Sequence, residues 1–116
     1  MDCPKLTIKH VGINCPDEAA AHALTASLCD CFSLQPCNET DSHIFAGGLF
    51  EVMKNEAIGS RGHIALQTED IAGAIAYFAE KGIAIREDTV RRADDGSITF
   101  AYLDLELGGF AFHLTR

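Results

Sequence analysis

Apolar residues recur along this chain with two periods, one of strands and one of helices. From Leu6 to Asn14 aliphatic and β-branched residues read as a strand. Cys15-Pro16-Asp17-Glu18 then opens a helix, since proline suits a first-turn position and acids favour the positive end of the helix dipole. Ala20, Leu24, Leu28 and Phe32 return at helical spacing, with Ala23, Ser27 and Cys31 beside them, which predicts an amphipathic helix of about four turns. Pro36 marks an edge or turn, and Asn38 to Asp41 a turn. Ser42–Ala46 and Leu49–Lys54 read as strands around the tight reversal Gly47-Gly48, and the polar stretch Asn55–Arg61 as a linker.

After Gly62 the pattern starts again. Gly62 to Gln67 is a short apolar strand, and a helix follows from about Asp70 to Lys81 with Ile71, Ala74, Ile75 and Phe78 on its buried face. Gly82 is placed to end it in a left-handed conformation. Ile83–Arg86 reads as a strand, Arg91–Gly96 as a hairpin loop, and Ile98–Leu105 and Phe110–Thr115 as strands flanking Gly108-Gly109. A shift of 53 residues lays His10 on His63, Val11 on Ile64, Ile13 on Leu66, Asn14 on Gln67 and Asp17 on Asp70. The chain ends need a shift of 62, which lays Phe50-Glu51-Val52 on Phe112-His113-Leu114, the hairpin around Asp94-Asp95-Gly96 taking up the difference. The pattern is therefore two copies of strand, helix, strand, strand, strand, about 5–55 and 61–116, in one α+β domain.

The repeat brings chemistry with it. His10 and His63 hold equivalent places in the first strand of each copy, and Glu51 and His113 in the last. Each is flanked by apolar residues, so alternation along the strand turns the ionisable side chain to one face. If the copies pack symmetrically, all four converge on the concave side of the sheets. Three imidazoles and a carboxylate suit a divalent transition metal such as Zn, Ni, Mn or Fe, with water completing the coordination. His22 reads as solvent-facing and His43 as a polar strand residue that could also line the cavity; Lys54 reads as an exposed strand charge. Arg61 and Arg86 are candidates for a substrate carboxylate but read first as surface charges.

Composition narrows the partners. The net charge of −8 comes without a basic stripe, so neither nucleic acid nor an anionic membrane surface is expected. No apolar run reaches the roughly 20 residues of a membrane-spanning helix, and the opening residues do not form a signal peptide; a cytoplasmic protein is expected. The five cysteines are odd in number and without CxxC spacing, which predicts free thiols rather than a disulfide framework.

The βαβββ repeat, its His-Val-Gly-Ile and Gly-His-Ile-Ala-Leu strand starts and the ionisable residues of the last strands resemble the vicinal-oxygen-chelate superfamily. That superfamily includes glyoxalase I, bleomycin-resistance proteins, methylmalonyl-CoA epimerase and extradiol dioxygenases. The segments Glu51–Lys54, Gly62–Ala65 and Gly108–Leu114 also resemble a small bacterial branch associated with keto-deoxy-phosphogluconate aldolases. The resemblance implies a glyoxalase-like fold of curved half-barrel sheets, a metal held by His10, Glu51, His63 and His113, and acid–base roles for Glu51 and His113. Glutamate usually stands at the position of His113 and serves as both ligand and proton shuttle, so the chain departs there from glyoxalase I; Glu106 lies on the turn side of Gly108-Gly109 and does not replace it. The implied activity is lyase or isomerase chemistry on a small α-keto acid or α-hydroxycarbonyl through an enolate-type intermediate. A non-catalytic binding or resistance protein, or an accessory module of a sugar-acid aldolase, are the alternatives. The resemblance further implies a homodimer, in which module one of one chain can meet module two of the other to form two shared sites; the alternative is a monomer whose own two modules close on each other.

Overall fold

A computed structural model describes residues 2–116. Strand β1 (Thr7–Asn14) leads into α1 (Glu18–Phe32), followed by β2 (Pro36–Cys37), β3 (His43–Ala46) and β4 (Phe50–Met53). The second module runs β5 (Gly62–Gln67), α2 (Ile71–Glu80), a turn of 3-10 helix at Glu87–Thr89, β6 (Arg91–Arg92), β7 (Ile98–Leu107) and β8 (Phe110–Thr115). All eight strands join one sheet in the order β2-β3-β4-β1-β5-β8-β7-β6. Both edge strands are only two residues long, which leaves little open ladder for another chain to extend.

The helices start as the repeat predicts. The Asp17 carboxylate accepts from the Ala20 N–H at 2.8 Å, and its repeat-equivalent Asp70 accepts from the Gly73 N–H at 2.9 Å. Each satisfies a donor that the first helical turn leaves without a partner. At the far end of α2, Gly82 takes φ +83° and the Ile83 N–H donates back to the Phe78 carbonyl at 2.9 Å. Helix α1 covers β3 and β4 through Ala21, Leu24 and Leu28 over Ile44 and Val52, while α2 covers β7 and β8 through Ala74, Ile75 and Phe78 over Leu103 and Leu114. Two small cores thus lie on the convex face of the sheet and leave the concave face open.

Several segments differ from expectation. Phe32, expected on the buried face of α1, is 62% exposed and stacks on Phe50 at the helix end. Ile83–Arg86 forms only an isolated bridge, Ile85 to Leu103, because the chain leaves α2 into the 3-10 turn before a ladder can grow. Lys54 is buried at 8% exposure on the helix side, its ammonium 2.7 Å from Glu39 and 3.7 Å from Glu18. The linker is tied down rather than free: the Ser60 N–H and hydroxyl donate to the Glu106 carboxylate at 2.6 and 2.9 Å, and the Asn14 amide donates to the Gly59 carbonyl at 2.8 Å. The five cysteines are free thiols, with Cys15 buried. No helix among the described residues is long and apolar enough to cross a membrane.

The packing makes a direct prediction. Leu114 is fully buried at the centre of the second core, so Leu114→Ala costs roughly 2–5 kcal/mol. Leu107, 59% exposed, costs within about 0.5 kcal/mol when cut to alanine. Urea unfolding of the two variants should reproduce that order, and similar midpoints would contradict the placement of the core.

Candidate metal centre on the concave face

The site begins with how the two modules meet. Strands β1 and β5 pair antiparallel, with Val11 opposite Ile64, His10 opposite Ala65 and Gly12 opposite His63. Those pairs exchange under the 53-residue shift, so a local two-fold axis passes beside Val11 and Ile64 and relates His10 to His63. Beyond them, β4 lies parallel to β1 with Glu51 beside Gly12, and β8 lies parallel to β5 with His113 beside Ala65. Glu51 and His113 are therefore equivalent in register, as the 62-residue shift predicts.

Opposite each histidine stands a small residue. The His63 ring lies across Gly12, where a methyl group would fall within the imidazole itself. Ala65 plays the matching part beneath His10. The ladder between Ile8 and His10 is irregular, with Lys9 as the extra residue, and both Lys9 and His10 face the cavity. A bulge re-aims a side chain in this way by interrupting the alternation of the strand. Nothing in the apolar pattern of β1 announces it.

The four groups come together within one chain. Glu51 Oε1 lies 2.8 Å from His63 Nε2 and 3.4 Å from His10 Nε2, and the two imidazole nitrogens are 3.3 Å apart. Ligand nitrogens of His10, His63 and His113 all lie within 4.8 Å of one another. His113 is buried among Phe100 at 4.4 Å, Tyr102 at 5.0 Å and His63 at 5.5 Å between ring centroids, and its Nδ1 has no hydrogen-bond partner. Direct pairing of β1 with β5 joins both half-sites in a single chain, the alternative in which the two modules of one chain close on each other.

His43 belongs to this centre as well. Its Nδ1 is 3.1 Å from Glu51 Oε2, so the carboxylate is held on one oxygen by His43 and faces His10 and His63 with the other. The sequence pattern allows His43 a place on the cavity wall but assigns it no role, because its place in β3 has no repeat-equivalent histidine. His22 points away, bonded to Glu18 and Glu39 on the helix side. Arg86 pairs with Asp88 at 3.2 Å, Arg61 is exposed on the linker, and Glu106 is taken by Ser60.

Charge is distributed unevenly over the centre. Burial raises the Glu51 carboxyl pKa, but hydrogen bonds from His10 and His63 and their charge outweigh it and hold the group well below the usual carboxylate range. Burial, then the charges of His63 and His10, pushes His113 down to about 3, so its imidazole is neutral. Burial and the Glu51 charge push the Tyr102 hydroxyl up to about 12. A neutral, buried imidazole with an unpartnered nitrogen, within 4.8 Å of the His10 and His63 nitrogens, offers a lone pair without having to release a proton first.

These donors fit a divalent transition ion. Ligand atoms held at about 2.0–2.2 Å from such an ion sit roughly 3 Å apart, which is the spacing of the Glu51, His10 and His63 atoms. The centre opens into a cavity of about 700 Å³ walled by Met53, Ile58, Val90, Phe100 and Tyr102. A hollow of about 820 Å³ lies elsewhere, beside Lys5, Thr68 and Arg116, but holds none of these donors.

No family model matches the chain, and no curated protein matches it. Solved structures do resemble it. Methylmalonyl-CoA epimerase from Mycobacterium tuberculosis superposes with a TM-score of 0.62 at 15% identity, over 99% of this chain and 91% of that one. A hypothetical protein from Bacillus halodurans gives 0.63 at 16% identity, over 96% and 94%. A Streptomyces coelicolor methylmalonyl-CoA epimerase variant in complex with 2-nitronate-propionyl-CoA gives 0.55 at 18% identity, over 97% and 94%. The likeness is one of fold: the chain has a glyoxalase-like architecture of two βαβββ modules in one curved sheet.

The buried neutral imidazole predicts how stability varies with pH. The folded-state pKa of His113 lies below that of a free imidazole, so its contribution is present above about pH 6.5 and is lost as pH falls toward 3. Metal-free protein should lose on the order of 1–2 kcal/mol between pH 6.5 and 5 through this group. Urea midpoints at those two pH values should separate less in His113→Gln; an unchanged separation would contradict the burial of a neutral ring.

Proposed function

We propose that the chain binds one divalent metal through His10, Glu51, His63 and His113 and acts on a small oxygen-rich metabolite by removing a proton beside a carbonyl. The observation that carries this reading is the convergence of His10 Nε2, His63 Nε2 and Glu51 Oε1 within 2.8–3.4 Å, with the unpartnered ring of His113 beside them. When bound, the ion supplies a Lewis acid that favours negative charge on two neighbouring substrate oxygens.

The chain's own residues divide the remaining work. His10 and His63 hold their nitrogens toward one point because Ala65 and Gly12 leave room for the rings. His113, neutral and with an unpartnered buried nitrogen, serves as a ligand that need release no proton before it binds. The proton shuttle falls to Glu51 by position: its Oε2 is turned away from His10 and His63 toward His43, 3.1 Å away. His43 stands nearer the cavity mouth, with its side chain 22% exposed, and so connects Glu51 to solvent. Met53, Ile58 and Phe100 present an apolar wall that keeps water from a bound substrate. The fold likeness to methylmalonyl-CoA epimerases supports the reading, because inverting a centre beside a thioester carbonyl also begins with loss of a proton there.

Elemental analysis of protein purified without a histidine tag tests the proposal, with about one equivalent of a transition metal per chain expected. His10→Ala and His63→Ala each abolish most of that content, and His43→Ala weakens metal affinity by about 10–100-fold by freeing the carboxylate. Full occupancy in both His10→Ala and His63→Ala protein would show that the metal binds elsewhere.

A further inference from the structure

One side of the cavity carries a feature that metal binding does not use. Arg91 lies over the face of Phe100, its guanidinium carbon 4.3 Å from the ring centroid, and Phe100 in turn lies 4.4 Å from the His113 ring at an interplanar angle of 34°. The two steps put the guanidinium no more than about 9 Å from the His113 imidazole, along one wall of the cavity. The cross-strand pairing of Arg91 with Phe100 and the packing of Phe100 on His113 fix that distance in the sheet rather than in a loop.

The cation is free to bind. In a chain with 17 acids against 9 basic residues, neither Arg91 nor Lys9 pairs with a carboxylate among the described residues. Asp88, an acid that lines the same cavity, is engaged by Arg86 at 3.2 Å. Lys9 faces the same cavity because the bulge in β1 turns it there beside His10. Its repeat-equivalent place in β5 has no inserted residue, so Lys9 breaks the two-fold symmetry of the centre and gives one face of the cavity an added positive charge.

We infer that Arg91, seated on Phe100 in a cavity that Lys9 also lines, receives a carboxylate at the far end of the substrate, which makes the substrate a short diacid that chelates through one end. This rests on the metal-chelate reading above and adds the substrate's second charge. The span agrees: an extended five-carbon diacid separates its carboxyl carbons by roughly 5 Å, and a hydrogen bond adds about 3 Å at the guanidinium end. The planar guanidinium is suited to the task because its paired N–H groups match the two oxygens of a carboxylate, and stacking on an aromatic face limits the freedom it loses on binding.

The test uses protein loaded with Co(II), whose visible spectrum reports ligands entering the metal's surroundings. It is titrated with 2-oxoglutarate and with 2-oxopentanoate, which share a chelating head and a five-carbon chain but differ in the distal carboxylate. Wild-type protein should bind the diacid about tenfold more tightly, and Arg91→Gln should remove that preference. Equal affinity of the wild type for both acids, or a preference that survives Arg91→Gln, overturns the inference while leaving the chelate reading intact. A spectrum that neither acid perturbs, in protein that holds cobalt, overturns the chelate reading itself and this inference with it.

Discussion

The centre depends on one cross-strand arrangement: a histidine on each of two antiparallel strands, with a residue too small to obstruct it directly opposite. Antiparallel neighbours have side chains that contact across the sheet, so a bulky residue at Gly12 or Ala65 would push the opposing ring off the concave face. With glycine and alanine there, both rings settle over the pairing strand and their Nε2 atoms approach to 3.3 Å. The outer strands then follow in register, and the same pairing that joins the two modules into one sheet delivers Glu51 and His113 to either side. Fold and donor set are thus two consequences of one interface between strands.

Electrostatics sharpen what geometry assembles. Glu51 is held by three imidazoles, two on one oxygen and one on the other, which stabilises it as an anion despite its burial. His113 lies in the opposite regime, enclosed by Phe100 and Tyr102 and facing other imidazoles, and it stays neutral. A glutamate at that position would bring a second carboxylate to the centre; histidine supplies a donor without that charge. The cavity therefore has one anion at its base and the cations Lys9 and Arg91 in its lining, an asymmetry that the two-fold repeat alone would not produce.

Much of this was legible in the sequence, and the exceptions share a cause. Paired helix caps at Asp17 and Asp70, the equivalence of His10 with His63, and that of Glu51 with His113 follow from two shifts, because repeated local signals fold to repeated local structures. What eluded the pattern is what breaks the symmetry. The bulge at Lys9 inserts a residue without altering the apolar rhythm around it, and His43 has no counterpart to lend it weight. Lys54 reads as a surface charge on a strand, yet it is buried because Glu39, far from it in sequence, turns back to meet it. The choice between a single-chain and a shared site stays open in the sequence for a different reason: strand patterns show which residues share a face but not which strand edges meet, and the β1–β5 ladder joins the two half-sites here.

The central claim is that three imidazoles and one carboxylate of a single chain form one metal centre. X-ray absorption spectroscopy of the protein loaded with one equivalent of Co(II) or Zn(II) tests it most directly, since imidazole rings give distinctive outer-shell scattering that can be counted. Such a centre gives scattering from three imidazoles in the wild type, two in His113→Gln, and an unchanged count in His22→Gln, whose ring lies on the helix side of the sheet. A centre with one imidazole or none, or one whose count falls with His22 but not with His113, would contradict it.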